Sequence, residues 1–92
     1  MHTTWKYQLE HVTNTFSMPS GAQVLTVQIQ RGEPCLWALV NPAQPYEERT
    51  FRIYGAGHEI EEQWIGYIGT VQMLGGSLVW HVFEVWPSPE SE

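Results

Sequence analysis

Short segments in which apolar and polar side chains alternate, bounded by glycine or proline turns, constrain this chain more than any other feature. Alternation with a period of two is typical of strands that bury one face. Six segments are predicted to be strands: Thr3–Leu9, Gln23–Gln30, Cys35–Val40, Arg49–Tyr54, Gly66–Met73 and Leu78–Trp86. Short strands without a convincing helix predict an all-β fold, a small antiparallel sandwich or barrel of about six strands.

Two predicted strands carry specific expectations about burial. In Gln23–Gln30 the alternation puts Leu25, Val27 and Ile29 on one face. The segment Cys35–Val40 is apolar throughout, which is typical of a central strand buried on both faces.

The segments between the predicted strands are interpreted as turns and loops. Glu10–Ser17 is polar and is predicted to be irregular, and Met18–Gly21 contains a proline and a glycine and predicts a turn. Glu59–Ile65 is predicted to be a loop with Ile60 and Trp64 tucked inward. An α+β fold is the alternative if this loop belongs to a longer helix.

Length and charge limit the classes of protein. Ninety-two residues predict one domain, which we place at 1–86, followed by a disordered acidic tail at 87–92. The net charge of −6 opposes binding to duplex nucleic acid and to anionic membrane surfaces. A lone cysteine, Cys35, and the lack of a signal peptide or an apolar span lead us to expect a protein of a reducing cytoplasm.

The stretch RTFRIYGAGHE, residues 49–59, is the best candidate for a ligand site. It brings together a guanidinium, a phenol, flexible backbone amides and an imidazole, on Arg52, Tyr54, Gly57 and His58. The amides of Gly57 and His58 can form an anion-binding nest beside Arg52. The plainer interpretation is that the glycines only permit a tight turn and that Arg52 is an ordinary surface charge.

Catalytic and metal chemistry are not expected. Cys35 heads an apolar strand, where a thiol is usually inert packing, and His81 lies among apolar neighbours as a satisfied core residue would. No histidine pair has the spacing of metal ligands, and no acid–base or nucleophile set is spaced for catalysis. We therefore predict no metal site, no cofactor and no enzymatic activity.

Five tryptophans supply more apolar area than one small core can hide. Trp37 and Trp80 are predicted to be core residues, whereas Trp5, Trp64 and Trp86 are candidates for an exposed contact. We expect a homo-oligomer, a dimer or higher, with the final strand Leu78–Trp86 at or near the interface.

Four stretches of the chain resemble a family of small proteins encoded by tailed bacteriophages. They are WKYQL, MPSGAQVLTVQIQRGEPCLWALVNP, RTFRIYGAGHEI and YIGTVQMLGGSLVWHVFE. The resemblance implies a phage origin and a place in the host bacterial cytoplasm. It supplies no activity and no functional residue.

Three functions follow as hypotheses. The first is a phage accessory protein that sequesters a small anionic, nucleotide-type host defence signal. The second is an acidic inhibitor that binds a host defence or nucleic-acid-binding protein, and the third is a structural phage protein. The partner is accordingly a small anionic ligand or a host protein.

Overall fold

Seven antiparallel strands form the protein in a computed structural model that describes residues 1–87. They are β1 (Thr3–Gln8), β2 (Thr13–Pro19), β3 (Gln23–Gln30), β4 (Glu33–Val40), β5 (Tyr46–Gly55), β6 (Ile65–Met73) and β7 (Leu78–Val85), with a 3-10 turn at Leu74–Gly76. The predicted all-β class is confirmed. Apart from Pro87, the predicted tail at 87–92 lies outside the described residues.

The strands form two sheets packed face to face, so the fold is a sandwich rather than a barrel. One sheet has the order β1-β4-β3 and the other the order β2-β5-β7-β6. Arg31 and Gly32, with φ values of 53° and 82°, form the tight turn between β3 and β4. Positive φ at both central residues matches the right-handed twist of the strands in a two-residue hairpin.

The core lies between the sheets and is centred on β4. Leu36, Ala38 and Val40 alternate along its inner face, and all three are buried, as are Phe51 and Val82 from the opposite sheet. This alternation is the ordinary result of a strand whose successive side chains point to opposite faces.

The prediction that β4 is buried on both faces is wrong at two outward positions, Trp37 and Leu39, which are only half-buried, although Cys35 on the same face is buried. Trp37 points to the outer face and is only half-buried, with the Lys6 ammonium 5.9 Å from its ring centroid. Only one sheet packs against β4, so its outer face is covered by neighbouring side chains alone.

The strand β2 was not predicted, because its segment was interpreted as irregular chain followed by a turn. Asn14, Phe16 and Met18 point inward, while the alternate positions carry threonine and serine. Only two of the three inward positions are apolar. The third, Asn14, is buried because its side chain bonds the backbone of Glu10 and His11. A polar residue at a buried position hides the period-two pattern.

Bulges in β3 and β6 bring these two strands together along one side of the sandwich. The register of β3 shifts between Val24 and Thr26, so Leu25 is 50% exposed while Val27 is buried, and the prediction that the two residues share one face is wrong. The register of β6 shifts before Gly69, where a Cβ would stand 2.6 Å from Val27 Cγ1. A bulge bends its strand and allows such close approach.

Candidate functional site

A cavity of about 570 Å³ opens between the two sheets at one end of the sandwich. Its walls come from the β1–β2 connection, the β3–β4 turn, the end of β5 and the start of β7. The residues lining it are Leu9, Glu10, His11, Val12, Gly32, Glu33, Pro34, Arg52, Ile53, Tyr54, Gly55, His58, Glu59, Met73 and Trp80. The cavity thus includes three of the four predicted site residues, and Gly57 is not among its walls.

The inner wall of the cavity is a continuation of the hydrophobic core. Ile53 and Trp80 are partly buried and pack against the core cluster. The prediction that Trp80 is a core residue is therefore correct in its packing, although one part of the side chain faces the cavity. An apolar wall with a large aromatic ring is typical of sites that take small molecules.

His58 lies on the cavity side of β5. Its ring packs so closely over Gly55 that a Cβ there would stand 2.8 Å from the imidazole Cε1. Gly55 pairs with Trp80 across β5 and β7, and opposite residues of an antiparallel pair share one face of the sheet. His58 and Trp80 therefore flank the same side of the cavity.

The predicted anion nest is not open in this conformation. Gly57 has a φ of +84°, as a glycine turn requires, but the His58 amide donates to the Gly55 carbonyl at 3.0 Å. That amide closes the turn and has no free hydrogen for an anion.

Arg52 and Tyr54 alternate with Ile53 and Gly55, so their side chains occupy the outer face of the sheet. Arg52 Nη1 donates to Thr13 Oγ1 at 2.6 Å, and the guanidinium lies 5.4 Å from the Tyr54 ring centroid. The structure thus brings Arg52 and Tyr54 together but separates both side chains from His58 by the thickness of β5.

Glu62, in the loop that follows β5, reaches back to both of these side chains. Its carboxylate accepts a hydrogen bond from the Tyr54 hydroxyl and lies 4.0 Å from Arg52 Nε. Burial, and then the bond to Glu62, raises the pKa of Tyr54 to about 12. The same bond from Tyr54 lowers the pKa of Glu62. This clasp fastens the 56–64 loop to the outer face.

The loop itself confirms one prediction and contradicts another. Residues 56–64 contain no helix, as predicted. Ile60 and Trp64 are 39% and 43% exposed, so the prediction that they are tucked inward is wrong. Because Glu62 holds the loop by a polar contact, no apolar anchor is needed. Trp86 is also exposed, and its ring lies over Gly66.

A row of aromatic rings continues across the outer face. Phe83 lies 5.7 Å from Tyr54 and 5.6 Å from Tyr67, both in edge-to-face geometry. His81 Nδ1 is 2.8 Å from the Thr70 hydroxyl. His81 is therefore a satisfied histidine, as predicted, but it stands on the outer face rather than in the core.

The charge at the cavity mouth is predominantly negative. Glu10, Glu33 and Glu59 line it. Arg52 also borders the cavity, but its guanidinium lies on the outer face of β5, where it is engaged with Thr13 and Glu62. Within residues 1–87, no three His, Cys, Asp or Glu side chains are grouped closely enough to hold a metal ion. In the same residues, no helix is long and apolar enough to span a membrane.

Sequence reasoning missed Glu62 and Thr13 as partners of the predicted site. Glu62 follows Tyr54 by eight residues through an irregular loop, and Thr13 belongs to the strand that was not predicted. No local pattern links either residue to Arg52. Only the pairing of β2 with β5 brings Thr13 next to it.

These observations define a small antiparallel β-sandwich with a ligand-sized cavity at one end. The whole chain, residues 1–92, matches the family described as Domain of unknown function (DUF7352), and the chain belongs to that family. None of the curated proteins matches it. None of the solved structures matches it either.

Proposed function

We propose that this protein acts by binding a small molecule in the end cavity rather than by catalysis. The observation that carries the proposal is the cavity itself, whose volume of about 570 Å³ falls within the range of about 300–1,000 Å³ typical of ligand pockets. A planar ring can enter against Trp80 and Ile53, with His58 at the mouth as a hydrogen-bonding group.

The charge of the mouth favours a neutral or weakly basic heteroaromatic ligand. Three glutamates border the opening, and an anion placed there meets their repulsion. A nucleoside-type molecule satisfies both the apolar wall and the negative mouth. This candidate departs from the sequence-based hypothesis, in which the ligand is anionic.

The anionic, nucleotide-type ligand is a second candidate, and one observation favours it. Arg52 Nε is buried and, among residues 1–87, has no hydrogen-bond partner, as is also true of the Tyr7 hydroxyl. A buried donor without a partner is costly, and a phosphate oxygen can satisfy it. Because the Arg52 guanidinium lies on the outer face of β5, such a ligand binds outside the end cavity and must displace Glu62 from the guanidinium.

The biological setting is part of the proposal and rests on the resemblance to proteins of tailed phages. We propose an accessory role in the cytoplasm of the infected bacterium, in which the protein sequesters a nucleotide-type host defence signal. Sequestration requires tight binding and no turnover, which fits a protein in which we expect no catalytic set.

Isothermal titration with matched pairs tests both candidates. The pairs are adenosine with its monophosphate, and a cyclic nucleotide or an ADP-ribose derivative with the corresponding nucleoside. If the ligand is a neutral nucleoside-type molecule, we expect the unphosphorylated member of each pair to bind more tightly and Trp80→Ala to weaken its binding at least about tenfold. If the ligand is an anionic nucleotide-type molecule, we expect the phosphorylated member to bind more tightly. Arg52→Gln should then abolish the preference for the phosphorylated member.

Lys6→Gln is the matched control, because it also removes one positive charge but lies outside the lining of the cavity. Folding of each variant is checked by circular dichroism. Absence of heat with every member of the panel, from folded wild-type protein, refutes both small-molecule candidates.

The acidic inhibitor remains a separate proposal, favoured by adjacent exposed carboxylates. Glu47 and Glu48 follow one another on β5 and both are exposed, with their side chains on opposite faces of the strand. A basic host surface that reaches both faces at this end of β5 can bind the two carboxylates, with an affinity that falls as salt screens the charges. Capture of one defined host protein at low salt, lost at high salt and in Glu47→Gln/Glu48→Gln, supports it. Unchanged capture by the double variant contradicts it.

A further inference from the structure

The two lateral sides of the sandwich are built differently. On one side β3 and β6 both carry register shifts, and Gly69 meets Val27 so closely that the sheets touch. On the other side β1 and β2 are the edge strands of their sheets, and neither shows a register shift with its neighbour. Bulged edges resist pairing with another chain, whereas regular edges invite it.

The free backbone groups of β2 can be assigned from two hydrogen bonds. Ile53 N donates to Val12 O at 2.9 Å, and Ser20 N donates to Pro45 O at 2.7 Å. Antiparallel strands alternate between residues bonded to one neighbour and residues whose groups face away. The N–H and C=O groups of Thr13, Thr15 and Ser17 therefore point away from β5, toward solvent.

We propose that β2 is the interface between two copies of this chain. The copies pair antiparallel about a two-fold axis at Thr15, so that each Thr15 faces the Thr15 of the second copy. Thr13 of each copy then faces Ser17 of the other. The β2-β5-β7-β6 sheets of the two copies become one continuous sheet, and the free groups of both edges are satisfied.

Charge distinguishes β2 from the other regular edge. The sequence TNTFSMP of β2 contains no charged residue, and its outward side chains are hydroxyls, which form favourable cross-strand pairs. On β1, pairing about the corresponding centre sets Lys6 against Lys6 of the second copy. In a chain of net charge −6, an uncharged strand is the edge that opposes self-association least.

The side chains on either side of the β2–β2 interface, which we call the seam, are complementary in charge. Arg52 pairs with Thr13 and already reaches toward the seam through its bond to Thr13 Oγ1, while Glu48 pairs with Ser17. In the proposed dimer, Thr13 of one copy faces Ser17 of the other. Four side chains therefore form a row across the interface, in the order Arg52 and Thr13 of one copy and then Ser17 and Glu48 of the second. The two-fold axis repeats this arrangement, so both rows carry opposite charges at their ends.

This interface differs from the one expected from the sequence. The final strand, β7, lies between β5 and β6, and both of its backbone edges are already paired. Its apolar residues can contribute only through the outer face, where Phe83 is partly covered by two tyrosines.

The mass in solution tests the proposal first. Light scattering over a concentration series from low micromolar to near millimolar is expected to approach twice the 10.6 kDa of one chain. Thr15→Pro removes the N–H at the centre of the seam, and proline is tolerated where an edge N–H faces solvent. We expect it to weaken the dimer about tenfold or more while the melting temperature of the monomer is retained.

Thr4→Pro is the matched control on the other regular edge. Leu9 N donates to Pro34 O, so the backbone groups of Thr4 also point away from the neighbouring strand. This variant is expected to dimerise like the wild type. A wild type that stays at the mass of one chain, or a dimer that survives Thr15→Pro, overturns the proposal.

Cysteine cross-linking tests the register. Residues facing each other in an antiparallel pair have Cα atoms about 5.5 Å apart, within the range of about 4.4–6.8 Å that a disulfide spans. Thr15→Cys is therefore expected to form a covalent dimer on mild oxidation, whereas Ser17→Cys, which faces Thr13 of the second copy, is not. The native Cys35 is 1% exposed and does not compete. Cross-linking of Ser17→Cys in preference to Thr15→Cys overturns the register.

Discussion

Arg49 and Glu84 form a two-point ion pair that faces the interior of the sandwich. Arg49 Nε lies 2.7 Å from Glu84 Oε2, and Arg49 Nη2 lies 2.9 Å from Glu84 Oε1. Arg49 Nη1 also donates to the carbonyl of Ala22, just before β3 in the opposite sheet. The bond to Glu84 raises the pKa of Arg49. One guanidinium therefore joins β5 to β7 and joins one sheet to the other.

We expect Arg49→Met to lower the free energy of unfolding by about 3 kcal/mol, because it leaves the Glu84 carboxylate buried without its partner. The value lies at the lower end for buried pairs, since the Arg49 side chain remains 17% exposed. Urea denaturation measures the change. The control is Arg49→Met/Glu84→Leu, which removes both charges and is expected to be more stable than the single variant. A double variant that is less stable than the single would contradict the ion-pair account.

The contact between Gly69 and Val27 gives a second prediction. A methyl group at position 69 stands 2.6 Å from Val27 Cγ1, so Gly69→Ala is expected to cost about 1–3 kcal/mol of stability through overpacking. Shortening the neighbour relieves the clash. We therefore expect Val27→Ala to be less harmful in the Gly69→Ala background than in the wild type, as measured by thermal and urea unfolding. Strictly additive effects would show that the two side chains do not meet.

Tyr54 is expected to lose its proton at a higher pH than a free tyrosine. Burial, with the bond to Glu62, raises the pKa of Tyr54 from 10.0 to about 12. A group whose pKa is raised on folding contributes stability below its unfolded pKa and loses it as pH rises through the folded value. Stability should thus fall between pH 10 and about 12.

Absorbance at the tyrosinate band measures this titration. Tyr54→Phe should remove one late-titrating tyrosine and flatten the alkaline part of the stability curve. In Glu62→Gln the pKa of Tyr54 should fall only part of the way, because burial is the larger cause. If Tyr54→Phe leaves the titration curve unchanged, the assignment is wrong.

Phe51 faces the core and Trp37 faces outward, so we expect their replacement by alanine to lower the free energy of unfolding by different amounts. Phe51 is fully buried between the sheets, so Phe51→Ala is expected to cost about 3–5 kcal/mol. Trp37 is half-buried on the outer face beneath Lys6, so Trp37→Ala is expected to cost less, by at least about 1 kcal/mol. Paired urea denaturation curves decide the order. A larger loss for Trp37→Ala would mean that something covers the outer face of β4.

The sequence predicted the parts of the fold that depend on strong local patterns. In β5, Phe51 and Ile53 alternate with polar residues, and in β4 the apolar run identified the centre of its sheet. The strand β2 was missed because its inward-facing residue Asn14 is polar. The Asn14 side chain donates a hydrogen bond to the His11 carbonyl in the preceding turn and does not add to the apolar core. The exposure of Leu25 could not be predicted, since the bulge beside it is a property of the pairing with β4.

The candidate site was predictable only in its parts. The turn at Gly55–His58 was identified from its glycines, and the cavity does include His58. The clasp between Tyr54 and Glu62 depends on the path of a loop, and the pair of Arg49 with Glu84 joins residues 35 positions apart. Such contacts have no local signature, because they follow from which strands become neighbours.

Cys35, the one thiol of the chain, lies on the outer face of the central strand β4, and only 1% of its surface is exposed. A thiol reagent can reach it when the side chains that cover it move aside, when β4 separates from its neighbours, or when the whole molecule unfolds. The rate of labelling therefore reports how readily this face of the sheet opens, without any engineered probe. If labelling tracks global unfolding under all conditions, both β4 and its side-chain cover belong to the last part of the molecule to come apart. Labelling faster than global unfolding would instead identify a local opening at the outer face of the three-stranded sheet.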